Sequence, residues 1–279
     1  MNFGKIHLLK INFEIPLSPQ ISIPRFVNMF VIEGNKLYLI DTGVKTAFDT
    51  LKSFTAEIGH DISAVQSVFL THSHPDHIGA AKHIRNATNC TFYAPQAESN
   101  WVEDTEEQFR NRPVPGFHQL VAGSVKVNHK ITAFQEIELE KGLTLKAIPT
   151  PGHSAGSTSY YLKEQNVLFC GDAILLPGEI PVFEDVKAYL NSLKTISKLK
   201  VATLYSAWDQ PRKTNEIPDI LQKSKAYILN IQKVAKNKEK EFKNPATMEF
   251  CQAVLEELGQ NKALANPLLL KSFLACLIE

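Results

Sequence analysis

The sequence predicts an α+β chain in which two β-rich halves of like plan are followed by a helical third. Three observations carry this. Apolar, β-rich runs come in pairs joined by turn residues. Each half closes a strand on an aspartate shortly before a helical pattern. Beyond residue 211 the apolar residues recur at steps of three and four, with no strand–helix–strand unit.

The first half opens with apolar runs at 26–32 and 36–40 around Glu33-Gly34-Asn35, which predicts a hairpin ending in Asp41-Thr42-Gly43. Phe48, Leu51, Phe54, Thr55 and Ile58 then fall at helical spacing, and Gly59 is a natural stop. Residues 64–70 read as a buried strand. Pro75 suits the first turn of a helix predicted to continue to about residue 86 through Ile78, Ala80, Ala81 and Ile84. A short strand follows at 91–93. Residues 97–119 carry Trp101, Phe109, Phe117 and His118 among many charges, and Pro113 and Pro115 prevent a continuous helix there. An excursion of that size beside a site is either a lid or pocket wall, or an ordinary surface loop.

Strands resume at 121–127, 137–139 and 143–148, the last two joined by Glu140-Lys141-Gly142, and lead into Pro149-Thr150-Pro151-Gly152-His153. Runs at 157–162 and 167–170 flank Glu164-Gln165-Asn166, and the second ends in Gly171-Asp172. Phe183, Val186, Leu190, Leu193 and Ile196 mark an amphipathic helix, and 201–205 a final strand before Ser206-Ala207-Trp208-Asp209-Gln210-Pro211. Three helices complete the chain, marked by Ile220 to Val234, Phe250 to Leu258 and Leu270 to Leu277.

Composition narrows the function. Thirty basic residues against 29 acidic ones leave no excess to draw the chain to a phosphate backbone or an anionic membrane, so neither nucleic acid nor membrane is an expected partner. Lys5, Lys10 and Glu14 break the start before a signal-peptide core can form, and no run approaches the roughly 18 apolar residues of a membrane span. Cys90, Cys170, Cys251 and Cys276 lack any CxxC spacing and read as reduced structural thiols, which fits a cytoplasmic protein.

The chemistry concentrates in Thr71-His72-Ser73-His74-Pro75-Asp76-His77, directly after the strand at 64–70. His72 and His74 leave the strand end two residues apart and can point the same way. The helix opened by Pro75 swings Asp76 and His77 back toward the same rim. Clustered nitrogen and oxygen donors suit zinc or a similar divalent ion, and the stretch can serve two adjacent ions. His7, His60, His83, His118 and His129 lack such company and read as surface or core residues.

These residues, with His153 in its Thr-Pro-Gly-His turn, Asp172 after a strand and the Asp41-Thr42-Gly43 strand end, closely resemble the metallo-β-lactamase superfamily over about residues 5–211. The resemblance implies an αββα four-layer sandwich over 1–211, with 212–279 a helical C-terminal extension packed on it. It implies that His72, His74 and His153 hold a first metal, Asp76 and His77 a second, and that Asp172 bridges them. Zinc is the expected metal, as one or two ions, with iron or manganese as alternatives. Metal-bound hydroxide would attack, with Asp76 orienting it and accepting a proton.

The chain departs from the superfamily's pattern at the last ligand: where a Gly-His pair is usual, it reads Ala207-Trp208, and indole has no lone pair for a metal. The second ion then needs water or Asp209, unless Asp209 merely closes the loop. The resemblance favours a hydrolase of a small-molecule ester, thioester or lactone, similar to the glyoxalase II-like and lactonase-like branches. Asp172, and Leu175 where secreted lactamases often carry lysine, disfavour antibiotic hydrolysis. The alternatives are an iron-dependent sulfur or oxygen redox enzyme and a non-catalytic binding protein with an incomplete second site. The C-terminal helices are expected to cover the metal cleft, or to offer an apolar face to a homodimer.

Overall fold

The computed structural model describes residues 4–18 and 21–278. Six strands pair in chain order to form the first sheet: β1 (Lys5–Ser18), β2 (Ile21–Glu33), β3 (Leu37–Ile40), β4 (Val65–Phe69), β5 (Thr91–Pro95) and β6 (His129–Ile131). The first three run antiparallel and the rest are parallel to β3. The second sheet takes β7 (Glu136–Glu140), β8 (Leu143–Pro149), β9 (Thr158–Leu162), β10 (Val167–Phe169), β11 (Thr203–Tyr205) and β12 (Arg212–Lys213), again in chain order. Only its β10–β11 pair is parallel.

Period-two alternation sorts each central strand between two layers. In β2, Val27, Met29 and Val31 enter a core under the first-half helices, while Phe30 and Ile32 enter the core between the sheets. In β3, Leu37 and Leu39 take the first side, Tyr38 and Ile40 the second. The inter-sheet core joins Phe30, Phe69, Tyr160 and Phe169. On the far side, Leu168 of β10 and Leu204 of β11 pack under the helices, which gives the αββα layering.

The helices of the first half are α1 (Ala47–Glu57), α2 (Pro75–Ile78), α3 (Ala81–Ala87), α4 (Ser99–Glu103), α5 (Thr105–Asn111) and α6 (Phe117–Leu120). Those of the second are α7 (Val186–Ile196), α8 (Ile217–Glu239), α9 (Met248–Glu257) and α10 (Pro267–Ala275). The last three share one core with α7 through Tyr189, Leu193, Ile228, Ile231, Phe250 and Phe273. Among the described residues, no helix is long and apolar enough to cross a membrane.

The structure departs from the sequence reading at several places, among them the short edge strands β6 and β12, which it did not contain. Strand β1 escapes that reading because both its faces are partly apolar: Ile6 and Leu8 turn to one core, Leu9 and Ile11 to the other, with charged residues between. The helix expected over 75–86 is two helices broken at Gly79-Ala80. Gly79 lies so close to the backbone of Val44, Lys45 and Leu120 that a Cβ would stand 2.3 Å from the Leu120 carbonyl. Residues 121–127 form no strand; Val121, Val125 and Val127 are buried, but Ala122 and Val125 donate their N–H groups to Gly79 and Val102, outside any ladder. Phe183 is a core residue ahead of α7, whose N-cap is Asp185 accepting from the Ala188 N–H.

Candidate metal centre

All the residues expected at the metal site lie at one end of the sandwich, where strands of both sheets stop. His72, His74 and His77 follow β4; His153 follows β8 and Asp172 follows β10. The two sheets are stitched there. Tyr160 donates its hydroxyl to the Leu70 carbonyl, and the Thr158 N–H to that of Thr71. Gly171 packs on Thr71 at a φ of 50°, and a Cβ on it would fall 2.8 Å from Thr71 Oγ1, so only glycine lets the Asp172 strand end approach the histidine stretch.

Two overlapping donor groups result. His72, His74 and His153 form one, and His72, His77 and Asp172 the other, with ligand atoms in each within 4.8 Å of one another. Asp76 belongs to neither: it stands at the margin, its Oδ2 3.7 Å from His77 Nε2. The other histidines lie outside the centre. His7 pairs with Glu33, His118 with Glu106, His83 packs on Phe48 and His129 on Tyr93.

The imidazoles are aimed by hydrogen bonds on their outer nitrogens. His153 Nδ1 donates to the Val182 carbonyl at 2.8 Å, which leaves Nε2 a bare lone pair. His77 Nδ1 donates to Asp41 Oδ2 at 2.8 Å. Thr71 Oγ1 donates to the same carboxylate and accepts from His72 Nδ1 at 3.0 Å. The Nε2 atoms of His72 and His74 are buried without a hydrogen-bond partner, and that of His77 faces Asp172 Oδ1 at 3.0 Å. His153 Nε2 lies 2.7 Å from His74 Nδ1, two nitrogens held together by a shared proton or a cation. Buried unpaired acceptors are costly, and a divalent ion satisfies this set at once. The site fits a metal.

The electrostatics agree. Burial, reinforced by neighbouring cationic groups, pulls the pKa values of His72 and His74 well below the usual histidine range; burial also lowers His153. These are the neutral forms that bind metal. At His77 burial acts in the same direction, but Asp172, Asp41 and Asp76 override it and raise its pKa well above normal. Burial, with Asp172 nearby, raises Asp76. Burial acts to raise Asp172 as well, but His77 and His153 outweigh it and hold that carboxyl well below its usual range.

Trp208, where the sequence resemblance leads one to expect a histidine, donates its indole Nε1–H to Asp172 Oδ2 at 2.9 Å. The segment is locked: the Asn28 N–H donates to the Ala207 carbonyl, and the Ala207 N–H to that of Gly171. Asp209 is turned away from the centre and holds Arg212 with both oxygens, at 2.6 and 2.9 Å, so it closes the loop.

A family model described as the metallo-beta-lactamase superfamily matches residues 22–208. The chain belongs to the metallo-beta-lactamase superfamily. A metallo-beta-lactamase family protein from Thermus thermophilus has the same fold, with a TM-score of 0.72 at 22% identity, covering 96% of this chain and 92% of that one. Hydroxyacylglutathione hydrolase of Bartonella tribocorum is 29% identical over 55% of this chain and 52% of its own length. Probable metallo-hydrolase YybB of Bacillus subtilis is 28% identical over 62% and 71%. A Beta-lactamase-like protein 2 homolog of Caenorhabditis elegans is 29% identical over 62% and 52%. The matched part thus spans about half the length of two of these relatives.

Two supporting carboxylates of this superfamily member are absent from the residues expected at the site. Asp41, left-handed at a φ of 60°, orients His77, and through Thr71 also His72. The Asp-Thr-Gly strand end is its only sequence signal. Buried Glu98 has none: from the 97–119 segment it accepts from Ser73 N–H and Oγ, Ser154 Oγ and Gly156 N–H, so one carboxylate ties the His72–His74 loop to the His153 loop.

The centre opens into a cleft that both halves of the chain line. The 97–119 segment lines it with Arg112, Val114 and Pro115, and the C-terminal region with Leu264, Leu268 and Leu269. Glu179 also faces it, its carboxyl pushed up to about 7 by burial. A carboxyl raised on folding contributes stability that is complete below its unfolded value of 4.5 and lost as pH rises through about 7. Glu179→Gln, which can still accept from the Leu176 N–H, should therefore unfold at a higher temperature than the parent at pH 8, by ~1–2 kcal/mol, with the gap closing toward pH 5. Thermal melts at the two pH values check it; an equal gap at both would contradict it.

Proposed function

We propose that this chain is a metal-dependent hydrolase, with zinc as its metal, that cleaves an ester, thioester or lactone bond. The observation that carries the reading is the convergence of bare imidazole nitrogens at the floor of a largely apolar cleft. His72, His74 and His153 would hold the ion, neutral as burial requires. A divalent ion there supplies Lewis acidity, making water nucleophilic near neutral pH and polarising an acyl oxygen. Asp76, at the cleft edge with a raised pKa, takes the proton released from water and passes it to the leaving group. His77, anchored by Asp41, keeps Asp172 and Asp76 in register. The relatives named hydroxyacylglutathione hydrolase and metallo-hydrolase support hydrolysis over the redox alternative.

Trp208 supports one tight metal per chain. It stands where the resemblance leads one to expect a nitrogen donor, and its N–H occupies one of the two Asp172 oxygens, Oδ2, while Oδ1 faces His77. Trp208→His should raise bound zinc from about one to about two equivalents, measured by mass spectrometry after dialysis. No rise would contradict the part given to Trp208. The reaction itself is tested with purified, metal-loaded protein against thioester, lactone and ester substrates. Turnover that chelation abolishes and zinc restores is expected. Metal retained without turnover of any of them, or iron as the dominant metal, would overturn the reading.

A further inference from the structure

The cleft holds two guanidinium groups that the protein itself does not satisfy. Arg112, at the end of α5, is 6% exposed, yet among the described residues its side chain makes neither a hydrogen bond nor an ion pair. Burial lowers its pKa, and four carboxylates at a distance oppose this only in part: Asp76, Glu184, Glu98 and Asp172. None is available to it. Glu98 is saturated with donors, Glu184 accepts from the Ala155 N–H, Asp172 belongs to the metal centre, and Asp76 stands at its margin against His77.

Arg25 of β2 lines the same cleft. Its guanidinium lies over the Trp208 ring, 4.4 Å from the centroid, and its Nε is buried without a partner. Phe13 and Phe26 brace that ring at 6.5 and 6.1 Å between centroids. The tryptophan in place of a metal ligand is thus a platform that holds a cation over the cleft. Glu179, the acid of the cleft outside the metal centre, bonds the Leu176 N–H and offers Arg25 no ion pair. A buried guanidinium with open donors favours a planar anion and is poorly tolerated without one. The rest of the cleft wall is largely apolar, with Ile174, Leu175, Val182 and Leu268 among its residues.

The geometry points to an anion-binding subsite formed by Arg25 and Arg112, so that the substrate is an acyl compound whose apolar arm carries a carboxylate or a phosphate. The inference deepens the hydrolase reading and rests on it for the scissile bond. Arg25 and Arg112 act by binding the remote charge, not the reacting atoms.

The test compares substrates of equal length on the zinc-loaded protein: the mono-p-nitrophenyl ester of adipic acid, p-nitrophenyl hexanoate, and the p-nitrophenyl ester of ω-phosphohexanoate. Calorimetry with adipate and with hexyl phosphate reads binding without turnover. The parent should prefer at least one charged ester over the neutral one by tenfold or more in kcat/KM, and whichever charge wins identifies the anion. Arg112→Gln and Arg25→Gln should each shrink that preference at least tenfold, mainly through KM, and weaken calorimetric binding alike with zinc content unchanged. Arg112→Lys should recover part of it, an effect that a purely structural arginine would not give. Hydrolysis with no charge preference would overturn the subsite and leave the hydrolase reading standing. Arginine-dependent binding of adipate or hexyl phosphate without hydrolysis of any ester would uphold the subsite and overturn the reaction.

Discussion

His153→Ala should leave a folded chain that no longer keeps its metal. His153 Nε2 meets His74 Nδ1 at 2.7 Å and belongs to the donor group made only of imidazoles, so its loss leaves His72 and His74 to hold the ion. Substitutions of outer partners of metal ligands already cost 10–100-fold in affinity. Loss of a ligand should cost at least ~100-fold in zinc affinity on that scale, and kcat/KM should fall by ~1,000-fold or more, because the ion supplies several kcal/mol of transition-state stabilisation. Folding is spared because His153 lies in a loop. The change leaves the Val182 carbonyl unpaired, a cost of about 1–3 kcal/mol, while the sheets keep their stitches at Leu70 and Thr71. Zinc titration with a competing chelator and steady-state kinetics check both halves. A variant that keeps zinc and turnover would move the reaction elsewhere.

Asp76→Asn separates proton transfer from metal binding. Asp76 lies outside both donor groups, so the asparagine variant should keep its zinc. It loses the carboxylate that accepts the proton, and kcat should drop by ~100- to 10,000-fold, the range of a positioned general base, with a smaller change in KM. The fall of kcat toward acid pH, where Asp76 with its raised pKa takes up a proton, should flatten with it. A variant with parental kcat would assign the proton to another group; one that loses zinc would make Asp76 a ligand after all.

The candidate metal centre was legible as a cluster of donors because its chemistry is written locally. His72, His74 and His77 sit in one short stretch after an apolar strand, and His153 and Asp172 each follow a strand end; Asp76, read there as a ligand, lies outside both donor groups. The amphipathic helices were legible for the same reason, since one face repeats at helical spacing. What stayed hidden depends on distant partners. Both faces of β1 are half-apolar, so its periodicity shows only once two cores exist to receive it. The break at Gly79 is imposed by the backbones of Val44 and Leu120, and the failed strand at 121–127 by pairing that goes elsewhere. Glu98 and Arg112 looked like ordinary charges of a polar segment, and only burial among the loops of the centre gives them roles. Trp208 was visible as a departure, but its bond to Asp172 and its stacking under Arg25 were not.

The most direct test is the metal content of the chain after purification and dialysis, set beside its hydrolytic rate as zinc is removed and returned. About one tightly held equivalent per chain, with activity that rises in proportion to that equivalent and is saturated by it, is the predicted result. Activity that persists in fully chelated protein, or that appears only with a second equivalent, would contradict the account.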